Sequence, residues 1–232
     1  MDAFVTSAAG VRMPGILYGT AWKKDDTESL VRLALGQGFR GIDTACQPKH
    51  YHEPGVGAAV ASMAREDFYL QTKFTALSGQ DPARIPYDPK APLPEQVRQL
   101  GISNCYQLER LEALYEAARI KPAVVQNRFY ADTGYDREIR GFCRQHGLIY
   151  QSFWTLTANP QLLAHRTVQQ IASRYGRTPA QVLFRYLAQS GVVPLTGTRS
   201  ETHMREDLAI SEFQLADPER AALEGLIERS AR

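Results

Sequence analysis

Residues 41–57 read GIDTACQPKHYHEPGVG, and residues 68–73, one apolar run later, read FYLQTK. Both pieces read as the C-terminal end of a short strand, and there they deliver a carboxylate (Asp43), a phenol (Tyr51) and an amine (Lys73). Together these make a proton donor. A phenol titrates near 10 in water, and a neighbouring ammonium favours phenolate and so lowers that value. A carboxylate paired with the ammonium holds it charged and in place. Taken singly, Asp43 could cap the next segment, Lys73 could be a solvated strand-end lysine and Tyr51 a loop aromatic with a wet hydroxyl. The constellation carries the reading.

Outward from this stretch, apolar runs alternate with segments of helical period. Met13–Trp22 is a strand and Asp25–Gly36 a helix; Phe39–Ala45 is a strand, Val56–Ala64 a helix and Phe68–Phe74 a third strand. Tyr106–Ile120 is an amphipathic helix, Ala123–Phe129 a strand, Asp136–His146 a helix and Leu148–Trp154 a strand. One or two helices fill His165–Gln189 around the turn at Gly176–Pro179, before a strand at Val192–Thr198. Helices follow at Thr202–Leu208 and at Asp217–Ile227, the latter opened by Pro218 in its first turn. Such alternation with short connections implies a parallel sheet wrapped by helices. About seven strands, with chemistry-bearing groups at strand ends from start to finish, favour a (β/α) barrel in a single domain spanning residues 1–232. An open doubly wound sheet is the alternative.

Gly36, Gly38 and Gly41 spell GxGxxG, yet a dinucleotide fingerprint follows a strand and opens a helix. This one closes a helix and enters a strand, so Gly36 and Gly38 read as cap and turn glycines.

Composition bounds the function. With 232 residues, 44% hydrophobic and 22% charged, the chain is long enough for a sizeable core. The formal charge of +2 carries no basic footprint for nucleic acid. No window approaches ~18 uninterrupted apolar residues, and the N-terminal residues lack a basic region before an apolar run, so no membrane association and a cytoplasmic location are expected. Cys46, Cys105 and Cys143 have neither CxxC nor Cys/His metal spacing, which fits reduced thiols and argues against a metal.

Three motifs in combination resemble the aldo-keto reductase family: Gly41–Glu53 with Asp43, Tyr51 and Glu53, then Leu70–Lys73, then GISN at Gly101–Asn104. The segments AVVQNRF, IYQSFW and VPLTGTRSETHMREDL extend the resemblance, in family order, over nearly the whole chain, and the wording is similar to fungal members. The resemblance implies a (β/α)8 barrel that binds NADPH (NADP+) without a Rossmann domain and reduces a small-molecule aldehyde or ketone. It implies that Tyr51 donates the proton, that Lys73 lowers its pKa and that Asp43 pairs with Lys73. It further implies cofactor contacts: Ser103, Asn104 and Gln126 to the nicotinamide carboxamide, Ser152 to the pyrophosphate, Arg199 and Ser200 to the adenosine phosphate, and Glu206 and Asp207 to adenine. Gln151 stands where the family usually has a stacking tyrosine, and His203 where it has an arginine.

The family normally places a helix, a strand ending in a catalytic histidine and another helix before GISN. Here Thr75–Leu100 holds a proline-rich loop and then only PEQVRQ, too short for a helix plus a buried strand. The expectation is therefore a barrel of this type that is incomplete, lacking its fourth βα unit. Loss of the histidine would cost on the order of 10²- to 10⁴-fold in rate. The rival reading is a catalytically impaired relative that binds nucleotide or a partner without turnover.

Overall fold

The computed structural model describes residues 4–86, 88 and 99–231. Two short strands open the chain, β1 (Phe4–Thr6) and β2 (Arg12–Pro14), paired antiparallel so that Phe4 faces Pro14. Then follow β3 (Leu17–Gly19), α1 (Thr27–Gln37), β4 (Gly41–Asp43), α2 (Glu53–Val60) and β5 (Tyr69–Gln71). Beyond these lie β6 (Gly101–Ser103), α3 (Leu108–Ala117), β7 (Val124–Arg128), α4 (Arg137–His146), β8 (Ile149–Phe153), α5 (Pro160–Ala164), α6 (Arg166–Tyr175), α7 (Pro179–Gln189), β9 (Val192–Thr196), α8 (Glu201–Leu208) and α9 (Asp217–Ser230). The part of the interval before β6 that holds most of PEQVRQ lies outside the described residues.

The chain divides into two compact units. One draws on the segments 16–97 and 197–205, the other on 1–15, 98–196 and 206–232. In the first, β3, β4 and β5 run parallel in the order β5-β4-β3, Gly19 facing Asp43 and Asp43 facing Gln71. Its apolar interior holds Leu17, Tyr18, Val31, Ala34, Phe39, Ile42, Val56 and Ala59, all buried. The Tyr18 ring meets Phe39 edge-on at 5.6 Å, and its hydroxyl donates to the Thr198 carbonyl at 2.9 Å.

In the second unit β6, β7, β8 and β9 form a parallel set in sequence order, with Ser103 opposite Gln126 and Gln126 opposite Gln151. Such purely parallel strands are buried on both faces, so they read as near-continuous apolar runs. Val192–Thr196 is buried at all five positions. Helix ends are built from local chemistry. At the start of α7 the Thr178 hydroxyl accepts from the Gln181 amide at 3.2 Å, and the Gln181 side chain accepts from the Thr178 amide at 2.9 Å, a reciprocal cap.

The seven parallel strands found among the described residues, each leading into helix or loop, bear out the expected class, a (β/α) barrel of reductase type short of its eighth strand. Two local readings change. Gly38 caps α1 with φ 115°, as the turn reading requires, but Gly36 lies inside α1, where a glycine costs about 0.5–1 kcal/mol relative to alanine. The β1–β2 hairpin is an addition that the apolar patterning did not signal. No helix is long and apolar enough to cross a membrane, among the described residues.

Candidate active site

Asp43 ends β4 with its side chain 3% exposed. Its Oδ1 accepts from Lys73 Nζ at 2.6 Å and from Gln71 Nε2 at 2.6 Å. Lys73 donates also to the Thr44 carbonyl at 2.9 Å, and its side chain is only 20% exposed. The local fold makes this arrangement. Gln71 and Lys73 are two apart on an extended segment, so their side chains share a face, and the pairing of Asp43 with Gln71 brings that face to the carboxylate. Thr20 supports the strand end from the other side, its amide and hydroxyl both donating to the Asp43 carbonyl.

Tyr51 follows a turn in which the Gln47 carbonyl accepts from the amides of His50 and Tyr51. The Lys73 ammonium lies 5.4 Å from the centre of the Tyr51 ring. Among the described residues the Tyr51 hydroxyl has no hydrogen-bond partner. Burial pushes the phenol well above its ordinary range, and the Asp43 carboxylate pushes the same way. This is opposite to the lowering expected from an adjacent ammonium. The physical reason is that Asp43 neutralises Lys73, so loss of water dominates.

A cavity of about 620 Å³ opens beside Tyr51, with Trp22, His50, Glu53, Arg84 and Pro86 on its walls. Trp22 and His50 stack with ring centres 4.1 Å apart. Burial, and then the Lys49 charge, hold the His50 imidazole below its usual range, which keeps it neutral near pH 7. Glu53, at the start of α2, accepts from the Thr72 hydroxyl at 2.5 Å.

In the same unit Arg199 is half-exposed, paired with Asp26 at 2.5 Å and donating to the Trp22 carbonyl at 3.1 Å. Ser200 accepts from the His203 amide through its hydroxyl. A guanidinium, a hydroxyl and the first turn of α8 form a donor set that fits a phosphate. Lys23 was not among the sequence candidates. Its side chain is buried, it donates to the Gly197 carbonyl, and burial followed by the Arg199 charge brings its ammonium down to about 8. A lysine one residue past an apolar strand run is the usual solvated pattern, so nothing in the sequence marked it.

In the second unit Ser103 ends β6 and Asn104 follows with φ 59°, a left-handed conformation that asparagine tolerates better than most residues. The Asn104 amide donates to the Gln126 carbonyl at 3.1 Å, and its side-chain nitrogen to the Ser103 hydroxyl at 3.2 Å. Ser103 is half-buried and Asn104 exposed, so donors and acceptors stand at this strand end. Gln126 is buried and donates to Gln151 Oε1 at 2.8 Å. Ser152 is wholly buried and accepts from the Thr155 hydroxyl, while Asp207 is buried and accepts from the Thr196 hydroxyl at 2.7 Å. Those two are already satisfied beneath the surface. Glu206 is half-buried, its carbonyl accepting from Gln181. Thus Asp43 and Lys73 are joined directly with Tyr51 alongside, Ser103 lies opposite Gln126 in the neighbouring strand with Asn104 next in the chain, and Ser152 and Asp207 are buried.

Comparison with known proteins bears on the family and the fold. The chain is 30% identical over 251 residues to an aldo-keto reductase of Mycobacterium tuberculosis, covering 92% of this chain and 87% of that protein. It is 26% identical over 251 residues to the glyoxal reductase of Bacillus subtilis (strain 168), covering 94% and 90%. Among solved structures, an aldo/keto reductase from Brucella melitensis matches with a TM-score of 0.78 at 21% identity, over 96% of this chain and 98% of that one. The aldo-keto reductase MGS-M4 from a deep-sea metagenome library matches with a TM-score of 0.81 at 20% identity, over 98% and 96%. At that identity the structural likeness speaks for the fold alone. The model of the Aldo/keto reductase family, a family of carbonyl oxidoreductases generally using nicotinamide cofactors, matches residues 96–228, and the chain belongs to it.

Proposed function

We propose that the chain acts as a single oxidoreductase domain that uses NADPH to reduce an aldehyde or ketone to an alcohol, with Tyr51 as proton donor. The observation that carries this is the buried Lys73–Asp43 pair beside the Tyr51 ring. When bound, the reduced cofactor supplies a hydride. Ser103, Asn104 and Gln126 would hold its carboxamide, and Arg199 and Ser200 its adenosine phosphate, with Ser152, Glu206 and Asp207 in supporting roles. The phenol of Tyr51, pushed up by burial, keeps its proton through the neutral range and releases it to an alkoxide, which is a far stronger base. The Lys73 ammonium then stabilises the phenolate that forms. Asp43 and Gln71 keep that ammonium in place.

The test is NADPH consumption by the purified chain with glyoxal as a reactive probe. Turnover that Tyr51→Phe abolishes supports the reading; NADPH binding without turnover in the unaltered chain supports the rival, an impaired reductase that only binds. One observation favours that rival. The five histidines lie on helices, on helix boundaries or beside Tyr51, and none ends a strand between β5 and β6. We infer that a longer, fungal-type member lost its fourth βα unit to give this chain, which works in the cytoplasm. Sequencing the transcript tests this: additional in-frame codons between those for Thr75 and Leu100 would place the loss in the reading of the gene and restore the histidine.

A further inference from the structure

The turn after β6 is held by more than its own backbone. The Tyr106 hydroxyl lies 3.1 Å from Asn104 Oδ1 and 3.1 Å from the Arg128 amide nitrogen. The Arg128 N–H can only donate, so it takes a lone pair of the phenol, and the single phenolic proton goes to Asn104. That fixes the carboxamide. Oδ1 of Asn104 must face Tyr106, and Nδ2 must face the other way, where it donates to the Ser103 hydroxyl at 3.2 Å and has one proton left to give.

The next peptide is clamped as well. Asn127, fully buried, accepts from the Cys105 amide at 3.0 Å and donates to the Cys105 carbonyl at 2.6 Å. This two-bond contact does with a side chain what a further ladder residue would do. Asn127 is anchored in turn on Asp136 Oδ2 at 2.6 Å, which also accepts from the Tyr150 hydroxyl at 3.0 Å. Asn104 needs such support, because its φ of 59° lies in the left-handed region, which is unfavourable for a residue with a side chain.

We propose that Tyr106 is a positioning residue: with Asn127 holding the following peptide, its hydroxyl sets the orientation of the Asn104 carboxamide so that Nδ2 is presented to the carboxamide oxygen of bound nicotinamide. The proposal rests on the nicotinamide-binding reading given above. Tyr106 touches neither substrate nor cofactor in this role; it acts through Asn104. Removing the hydroxyl lets the Asn104 amide turn over, and a lost oriented hydrogen bond is worth about 3- to 10-fold in affinity.

The experiment compares NADPH with 2′,5′-ADP, which has the phosphorylated adenosine end but no nicotinamide, binding each to the unaltered chain and to Tyr106→Phe. The expected result is a 3- to 10-fold weaker Kd for NADPH in Tyr106→Phe with the Kd for 2′,5′-ADP unchanged. Equal weakening of both ligands would mean a merely structural role, and no change in either would mean no role; both overturn the proposal. If the unaltered chain binds 2′,5′-ADP but not NADPH, or binds neither, the nicotinamide reading itself fails and takes the positioning role with it. A second measurement stands if Tyr106→Phe does not fold. Thionicotinamide NADPH replaces the carboxamide oxygen with sulfur, a poor acceptor, so the unaltered chain should bind it several-fold more weakly than NADPH; equal binding overturns the orientation of Nδ2.

Discussion

Lys73 and Asp43 stand 2.6 Å apart, the carboxylate at the end of β4 and the ammonium two residues beyond the end of β5. Parallel pairing of the two strands makes that contact, since Asp43 is opposite Gln71 and Lys73 is the next residue on the same face. The pair is mostly out of water, so each charge depends on the other. Breaking a buried pair from one side costs roughly 3–5 kcal/mol, because the survivor is left uncompensated. Lys73→Met and Asp43→Asn should each destabilise by about 3 kcal/mol in urea melts. The double variant should cost clearly less than the sum, by about 1–3 kcal/mol. Additive losses would mean that the two side chains are independent, and the proton-donor arrangement would lose its base.

Tyr51 gives a prediction with a sign. Its folded-state phenol lies above the ordinary value of about 10, with burial the larger cause and Asp43 the smaller. The donor is therefore fully protonated at neutral pH and stays so as pH rises. Turnover at saturating substrate should show no alkaline decline attributable to Tyr51 between pH 7 and pH 9. Tyr51→Phe should lower turnover by about 10²- to 10⁴-fold and leave the Kd for NADPH within twofold. A loss of rate with a midpoint near pH 8 in the unaltered chain, removed by no other substitution, would show that the phenol is lowered after all.

This part of the site was half legible in the sequence. Asp43, Tyr51 and Lys73 could be placed because a period of two and a run of strand ends fix which residues share a rim. The direction of the Tyr51 shift could not, because it depends on how much chain covers the phenol and on Asp43 cancelling the ammonium. The same limit applies to Ser152 and Asp207. Their strand and helix positions were read correctly, but depth is a property of packing, and both side chains are satisfied by threonine hydroxyls within the fold. The β1–β2 hairpin escaped for a different reason: each strand is three residues long, too short for alternation to register, and the turn rests on Gly10 at φ 73°. Asn127 was passed over because a polar residue in a strand run gives no sign that its amide will bind the backbone of another turn.

Lys23 predicts a stability profile. Its ammonium falls from 10.5 when unfolded to about 8 when folded, burial being the main cause. Below pH 8 both states carry the proton and the difference is constant. Between about 8 and 10.5 the unfolded chain binds more protons than the folded one, so stability rises with pH in that window. The unaltered chain should gain on the order of 1–3 kcal/mol between pH 7.5 and pH 9.5 in denaturant melts. Lys23→Met should flatten that gain. An unchanged slope in the variant would show that the buried ammonium keeps its charge through its bond to Gly197 and does not titrate in this range.

Asp136 supplies the last test, of the network behind β6. The residue is 3% exposed, and its Oδ2 accepts from Asn127 and Tyr150. Burial raises the acid above its ordinary value against the opposing hydrogen bonds and the Arg140 charge. The folded chain therefore holds this proton to higher pH than the unfolded one, and the contribution to stability is fully present below the ordinary carboxylate range and declines as pH rises through the folded value. Asp136→Asn keeps an oxygen to accept from Asn127 and Tyr150 and removes the charge that burial penalises. At pH 7 it should be neutral to stabilising, within about 1 kcal/mol, and should lose the decline above pH 4 that the unaltered chain shows. A loss well beyond 1 kcal/mol at pH 7 would show that the charge is net favourable, through Arg140, and that Asn127 is held by an ion-paired carboxylate.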